Sequence, residues 1–581
     1  MTALKPSALR FAPGVALVCA LLLSACVGPS PLTTDAGERS QRQPARTKTL
    51  TLGISTTVKT LGMISEGTPT GGWGSIEEIY DEALVSTAKT FTLVGRLAER
   101  VPSVEDGTVS ILPDGQMRVV FNLRRGVTWH DGTPFTAHDL TFSHRPLAEY
   151  GASGNDATRG MTSVVAADDH TAVFMYQAPH YLGSVLVARR FLPMPRHILE
   201  PVYRDAVITG VPDAFVNHPY WTSEYVHLGP FRLTAFDPGT SMRFEAYDRY
   251  FQGRPKIDVV IVRSFGNPQA LFAELLAGTV QMVMDGALSE ELAQQLIERW
   301  RDGAGEVYIR PGGLRTIYPQ HRPEYQAEPA NLDPRVRGAL YRALDRDGLA
   351  AARASTSIGA WSILSPQHLH YEAVKDGLRV YTYDPQRARA DLAALGWTSG
   401  PDGVLRHNVD GRRFHTHLSV TTGDNFWELP VYSDFWRRIG LEVEELPIPG
   451  PLQRDGQHRA TYPGYEASSG AQGDNILGRL QGAAAAPENR WAGNRCACPT
   501  PESEALLDRY FTSLAFSEQS AAYKAISDYV VRTLNIMPVY FSTDFLGRAK
   551  GVIAFDDVDG SLSSPSQSGT FSRHSYLWDV E

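Results

Sequence analysis

Apolar residues recur along the 581-residue chain at two spacings. Leu50, Leu52 and Ile54 fall on every second position, as do Val119, Phe121 and Leu123, the period of a half-buried strand. Other segments show the wider spacing of an amphipathic helix. Asn267-Pro268 opens one, with Leu271, Phe272, Leu275 and Leu276 on one face and Gly278 as its stop. Ser289 opens the next and turns Leu292, Leu296, Ile297 and Trp300 inward. In Asp333-Pro334 and Asp384-Pro385 the acid caps a helix and proline takes its first position. The second of these runs to Leu395 and closes at Gly396. Phe426 to Ile439 and Ser517 to Leu534 are further helices, and Pro538 leads into the apolar run Val539-Tyr540-Phe541. Strands and helices interleave throughout, so the fold class is α/β.

The N-terminus follows a different logic. Lys5 and Arg10 precede an apolar stretch, Phe11 to Leu23, too short to span a bilayer as a mature helix. It ends in Leu23-Ser24-Ala25-Cys26, which resembles a lipobox. Residues 1–25 are thus expected to be a signal peptide, with Cys26 the point of lipid attachment. Residues 26–48 are rich in Pro, Ser, Thr and Gln without apolar periodicity, as a flexible tether is. No later segment is long and apolar enough to cross a membrane.

Composition adds bounds. Hydrophobic residues make up 43% and charged residues 20%, ordinary for a globular protein, and the length suggests about three domains. Formal net charge is −9, and removing the two cations of residues 1–25 takes it to −11. With no block of like charges, nucleic acid is not an expected partner. Cys19 leaves with the signal and Cys26 takes lipid, so Cys496 and Cys498 remain, either as a strained loop disulfide or as two free thiols rather than metal ligands. His130-Asp131 and His138-Asp139 read as turn and helix-start residues. The pairs His368/His370 and His415/His417 are read as facing apart, with no acidic third ligand nearby, so no metal and no cofactor is expected. There is no GxSxG elbow, no SxxK start, no HExxH and no Walker loop. No catalytic residue is therefore assigned.

Phe121 to Ser143 reads FNLRRGVTWHDGTPFTAHDLTFS, which resembles the signature of the family 5 extracellular solute-binding proteins. Four more blocks agree in order: Leu97-Ala98-Glu99 with VPSVEDGTVSILPDG, Leu228 to Asp258 continuing into AELLAGTVQMV, LDPRVRGALYRALDRDGL from Leu332, and YDPQRARADLAALGW from Tyr383. The resemblance covers most of residues 50–550. It implies a two-lobed periplasmic-binding-protein fold (type II, the three-domain cluster of the peptide-binding type) with a hinged cleft. Domain I would comprise residues 49–96, 222–312 and 537–581, domain II residues 97–221, and domain III residues 313–536. The chain would cross between lobes near Arg310–Leu314 and Ile536–Tyr540.

The same resemblance implies the receptor of a bacterial ABC importer, periplasmic and lipid-anchored, a monomer that hands a small-molecule or oligopeptide ligand to permease and ATPase subunits. Peptide-binding relatives hold the peptide's amino terminus with an Asp in a Gly-Trp-x-x-Asp-like segment. Gly470-Ala471-Gln472-Gly473-Asp474-Asn475 is the nearest match, with Ala471 in place of the Trp. Asp474 and Asn475 are thus candidate ligand-binding residues. Arg459 could face a ligand carboxylate. Trp73, in Gly71-Gly72-Trp73-Gly74, and Trp491 are aromatic candidates, since a ring exposed on a glycine loop is costly unless it stacks on something. A non-peptide solute (an opine, glycoside or metal chelate) stays open, as does a lipoprotein enzyme or chaperone on the same scaffold.

Overall fold

A computed structural model describes residues 47–62, 73–87, 93–150, 158, 160–180, 191–284, 286–354, 356–366, 368–378, 380–422, 425–453, 455–469, 473–489, 491, 494–554 and 572–581. Cys26 and the tether lie outside them, apart from Thr47 and Lys48.

The caps read from sequence start helices as expected. Asn267 Oδ1 accepts the Ala270 N–H at 2.8 Å and begins Pro268–Leu276. Asp384 Oδ1 accepts the Arg387 N–H at 2.8 Å and begins Pro385–Ala394, with Gly396 following in the left-handed region at φ +88°. Several boundaries shift by one or two residues. The helix expected from Phe426 starts at Glu428. The helix expected to reach Leu534 ends at Thr533, because Leu534 itself turns left-handed, φ +44°, while its N–H still bonds Val530 O.

Among the described residues, eleven strands form one mixed sheet. In its first half, Thr49–Ile54 is flanked by parallel strands, Val259–Ser264 and Met282–Val283, and an antiparallel run continues outward through Ser241–Ala246 and Phe231–Asp237. In the second half, Tyr465–Ser469, His415–Thr421 and Glu442–Ile448 are parallel neighbours. Two long antiparallel strands, Gly305–Pro319 and Met537–Ala549, join the halves. Each serves both: Leu546 packs into the core around Leu50, Leu52 and Val260, while Val539 and Tyr540 pack with Leu340, Leu418 and Trp436. A separate four-stranded antiparallel sheet, with Met117–Asn122 and Thr171–Tyr176 at its centre, packs against helix Ala137–Tyr150 and shares the first half's core.

Candidate functional site at the junction of the two halves

Strand direction identifies one special place. Tyr465–Ser469 runs antiparallel to the first crossing strand, with Tyr465 beside Pro319 and Ser469 beside Arg315, so its carboxyl end points toward Leu314. Its parallel neighbours point the same way. From the other side, Met282–Val283 pairs with Arg548 and Gly547, so its carboxyl end, and that of Thr49–Ile54, point toward Thr543. Both sets of parallel strands therefore end facing the middle of the crossing pair, where Pro311 lies beside Thr543 and Leu314 beside Phe541 across a register shift. In open α/β sheets, ligands bind outside the carboxyl ends of strands. At the shift the backbones are in close contact: Ser542 Oγ donates to Gly313 O at 2.9 Å, and a Cβ on Gly312 would lie 2.7 Å from that hydroxyl.

Just inside the second half, the crossing strands are clamped by one acid. Glu428 sits in the first turn of helix Glu428–Arg438, where the helix dipole favours a carboxylate. Arg315 Nε donates to Glu428 Oε1 at 3.0 Å, Arg315 Nη2 donates to Oε2, and the Tyr540 hydroxyl donates to Oε1. Arg315 Nη1 reaches Ser469 Oγ at 2.9 Å. Burial opposes the Arg315 charge, but Glu428 outweighs it and the guanidinium is held above its ordinary range. The Tyr540 hydroxyl is pushed up by burial and then by Glu428. Sequence reading missed this cluster.

The expected ligand residues are distributed unevenly. Asp474 and Asn475 lie in the helical turn Gly473–Leu480, which follows the carboxyl end of Tyr465–Ser469; their side chains fall outside the described residues. Arg459 has an internal partner. Its Nε and Nη2 fork onto Glu466 at 2.9 and 2.5 Å, and Nη1 donates to Gln453 O at 2.8 Å. Its charge is thus matched inside the fold by Glu466, whereas facing a ligand carboxylate was expected of an unmatched cation. Arg495 also interacts with Glu466, and burial holds it below its ordinary range despite that acid, with Arg459 and Arg479 adding to the effect. Arg322 knits the neighbouring loops by donating to Ala485 O at 2.5 Å and Arg495 O at 2.6 Å. Trp491 is half-buried at φ +61°, pressed against Gly456, where a Cβ would come within 3.0 Å of its own.

Trp73 is not the exposed ring that its glycine neighbours suggested. It is 6% exposed within the first half's core, and its indole N–H donates to the Tyr80 hydroxyl at 3.0 Å. The ring belongs to the same buried cluster as Ile76 and Ile79, so packing accounts for it.

His130 and Asp131 form a turn. Asp131 Oδ1 accepts the Thr133 N–H at 2.9 Å, Gly132 takes φ +92°, and Asp139 Oδ2 accepts the Thr136 N–H at 2.8 Å at the start of the following helix. His368 and His370 are buried, with His370 stacked on Phe516 at 5.0 Å. Cys496 and Cys498 are joined as a disulfide in a buried loop, with Ala497 between them at φ +51°. The reading of His415 and His417 is corrected. Residues i and i+2 of a strand share a face, and the two rings lie 4.7 Å apart with Glu444 of the adjacent strand beside them.

Comparison with known proteins gives a consistent result. The family model described as bacterial extracellular solute-binding proteins, family 5 Middle, matches residues 92–483. The oligopeptide-binding protein AppA of Bacillus subtilis (strain 168) is 26% identical over 445 residues, 74% of each chain. An oligopeptide-binding protein from Thermus thermophilus, solved with a pentapeptide, superposes with a TM-score of 0.71 at 19% identity, covering 92% of this chain and 96% of that one. NikZ from Campylobacter jejuni, solved with Ni(L-His), gives 0.70 at 16% identity over 91% and 99%. The fold is that of a two-lobed, type II periplasmic binding protein of the peptide-binding kind.

Proposed function

Since the chain belongs to family 5 of the bacterial extracellular solute-binding proteins, we propose that it captures a peptide or peptide-like solute in a cleft between its lobes and delivers it to the permease of an ABC importer. The observation that carries this reading is the convergence of parallel-strand carboxyl ends, from both halves of the sheet, on the middle of the crossing strands. A solute held there touches both lobes only when they approach, so its binding free energy favours closure. In this reading the first lobe comprises residues 49–312 and 537–581 and the second residues 313–536. Asp474 and Asn475, on the loop that leaves Tyr465–Ser469, hold the cationic end of the solute. The protein is a receptor rather than an enzyme, anchored to the membrane by lipid on Cys26.

A second reading has its own support. Ala471 stands where peptide-binding relatives carry Trp, and the Campylobacter jejuni neighbour was solved with a nickel–histidine complex. A wider pocket built for a chelate or other non-peptide solute fits both facts.

Native mass spectrometry of the purified protein, followed by calorimetry with the mass-identified solute and with a peptide library, decides between them. Bound peptide that emerges chemically unchanged supports the first reading. Saturable binding of metal chelates with no peptide binding supports the second, and turnover of the solute overturns both. Small-angle scattering should show a smaller radius of gyration with saturating ligand, and an unchanged profile counts against closure.

A further inference from the structure

His415 and His417 project from one face of the strand His415–Thr421, and Glu444 is the register partner of His417 on the neighbouring parallel strand. Both imidazole Nε2 atoms face the same carboxylate oxygen, at 3.6 Å for His415 and 3.2 Å for His417. Two metal bonds of about 2.0–2.1 Å at a tetrahedral angle separate their ligand atoms by about 3.3 Å. All three ligand atoms lie within 4.8 Å of one another, so the two histidines need only a small rotation to complete such a set.

We propose that His415, His417 and Glu444 bind a late first-row divalent transition ion of the Zn²⁺ class, at the outer end of the second lobe and apart from the interlobe cleft. Two imidazoles and one carboxylate suit such an ion rather than Mg²⁺ or Ca²⁺, which take oxygen ligands. Three protein ligands leave a fourth position for water.

The placement away from the cleft follows from register. Leu418 lies beside Tyr465, and Tyr465 lies beside Pro319, already at the far end of the crossing strand. His415 is three residues farther out, about 10 Å along the strand. The solute site and the ion site are therefore independent, and the proposal does not rest on the identity of the solute.

The electrostatic surroundings permit a cation. Arg413, the nearest positive group before the strand, forks onto Glu442 at 2.8 and 2.6 Å and also contacts Asp402 at 2.7 Å, so its charge is matched. The His415 and Glu444 side chains are 44% and 53% exposed, which gives the ion a path in. His417 Nδ1 is buried without a hydrogen-bond partner, so the site lacks the outer hydrogen bond that usually raises the basicity of a ligating histidine. Affinity weaker than that of a structural zinc is expected.

The test uses untagged, metal-stripped full-length protein. Calorimetry with ZnCl₂ should give one equivalent per chain, and Co²⁺ should give visible absorption bands of a low-coordinate nitrogen–oxygen site. Losing an outer partner of a metal ligand costs about 10–100-fold in affinity, so removing a ligand itself should cost at least that. His415→Ala and Glu444→Gln change exposed side chains and should leave the metal-free melting temperature unchanged while weakening Zn²⁺ by that factor. No saturable Zn²⁺ binding by wild type overturns the proposal. So does undiminished affinity and stoichiometry in the double variant His415→Ala/His417→Ala, which would place any bound ion elsewhere.

Discussion

His130 Nδ1 accepts the backbone N–H of His227 at 3.2 Å, while its other ring nitrogen, Nε2, bonds Gly229 O at 2.9 Å. A carbonyl can only accept, so Nε2 carries the proton and the ring is neutral. A second proton, on Nδ1, would point at an N–H. Burial holds His130 at about 4, and burial followed by the neighbouring His130 holds His227 at about 3, against an ordinary 6.5.

Acid should therefore loosen the first half of the molecule. Between pH 6.5 and about 4 the unfolded chain binds protons that the fold refuses, so stability is full above that window and falls as pH drops through it. The cost is on the order of 3 kcal/mol for His130 once pH is below its folded value. Urea unfolding at about pH 7.5 and pH 5 measures it. The midpoint should fall on acidification, and His130→Gln should flatten that dependence; an equal slope in wild type and variant would contradict the assignment.

Glu428→Gln should destabilise by about 3–5 kcal/mol, because Arg315 is left buried without its counter-charge. The double change Arg315→Met/Glu428→Leu should regain much of that loss, since removing both partners of a buried pair is often near neutral. Thermal denaturation of the three variants distinguishes a clamp from a bystander. A loss below about 1 kcal/mol for Glu428→Gln, the range of an exposed pair, argues against it.

If Asp474 holds the amine end of the solute, Asp474→Ala should weaken binding at least about a hundredfold, or roughly 2.7 kcal/mol. Calorimetry with the identified ligand reads this directly. Affinity within about threefold of wild type, far short of what loss of a buried charge partner costs, would make the acid a solvated loop residue.

Cys26→Ser should release soluble protein or leave unprocessed precursor, whereas wild type should carry a lipid on an N-terminal Cys26. Mass spectrometry of the mature terminus checks this. An unmodified start elsewhere removes the anchor from the account.

Local physics was readable from sequence, and contacts across the chain were not. Asn267, Asp333 and Asp384 act within three residues of themselves, so their capping could be seen in the string. The Asp131-Gly132 turn was legible for the same reason. Arg315 and Glu428 are 113 residues apart, and nothing local in either segment announces the pair. Arg459 looked available because its partner Glu466 becomes adjacent only when a short helix folds back beside a strand. For the histidine pair, alternate residues of a strand share a face, and Glu444 arrives from a strand that sequence spacing does not connect.

The strand Met537–Ala549 lies in the sheet between Gly305–Pro319 and Met282–Val283, not at an edge. Translation order and closing order are therefore opposed. By the time Ser469 has been made, the second half has every partner for its parallel strands, whereas the first half lacks the ribbon that joins residues 282–283 to 305–311. A nascent chain halted before residue 537 would carry two open strand margins in its middle, an invitation to pair with a neighbour's. The half that is synthesised first is the one that finishes last.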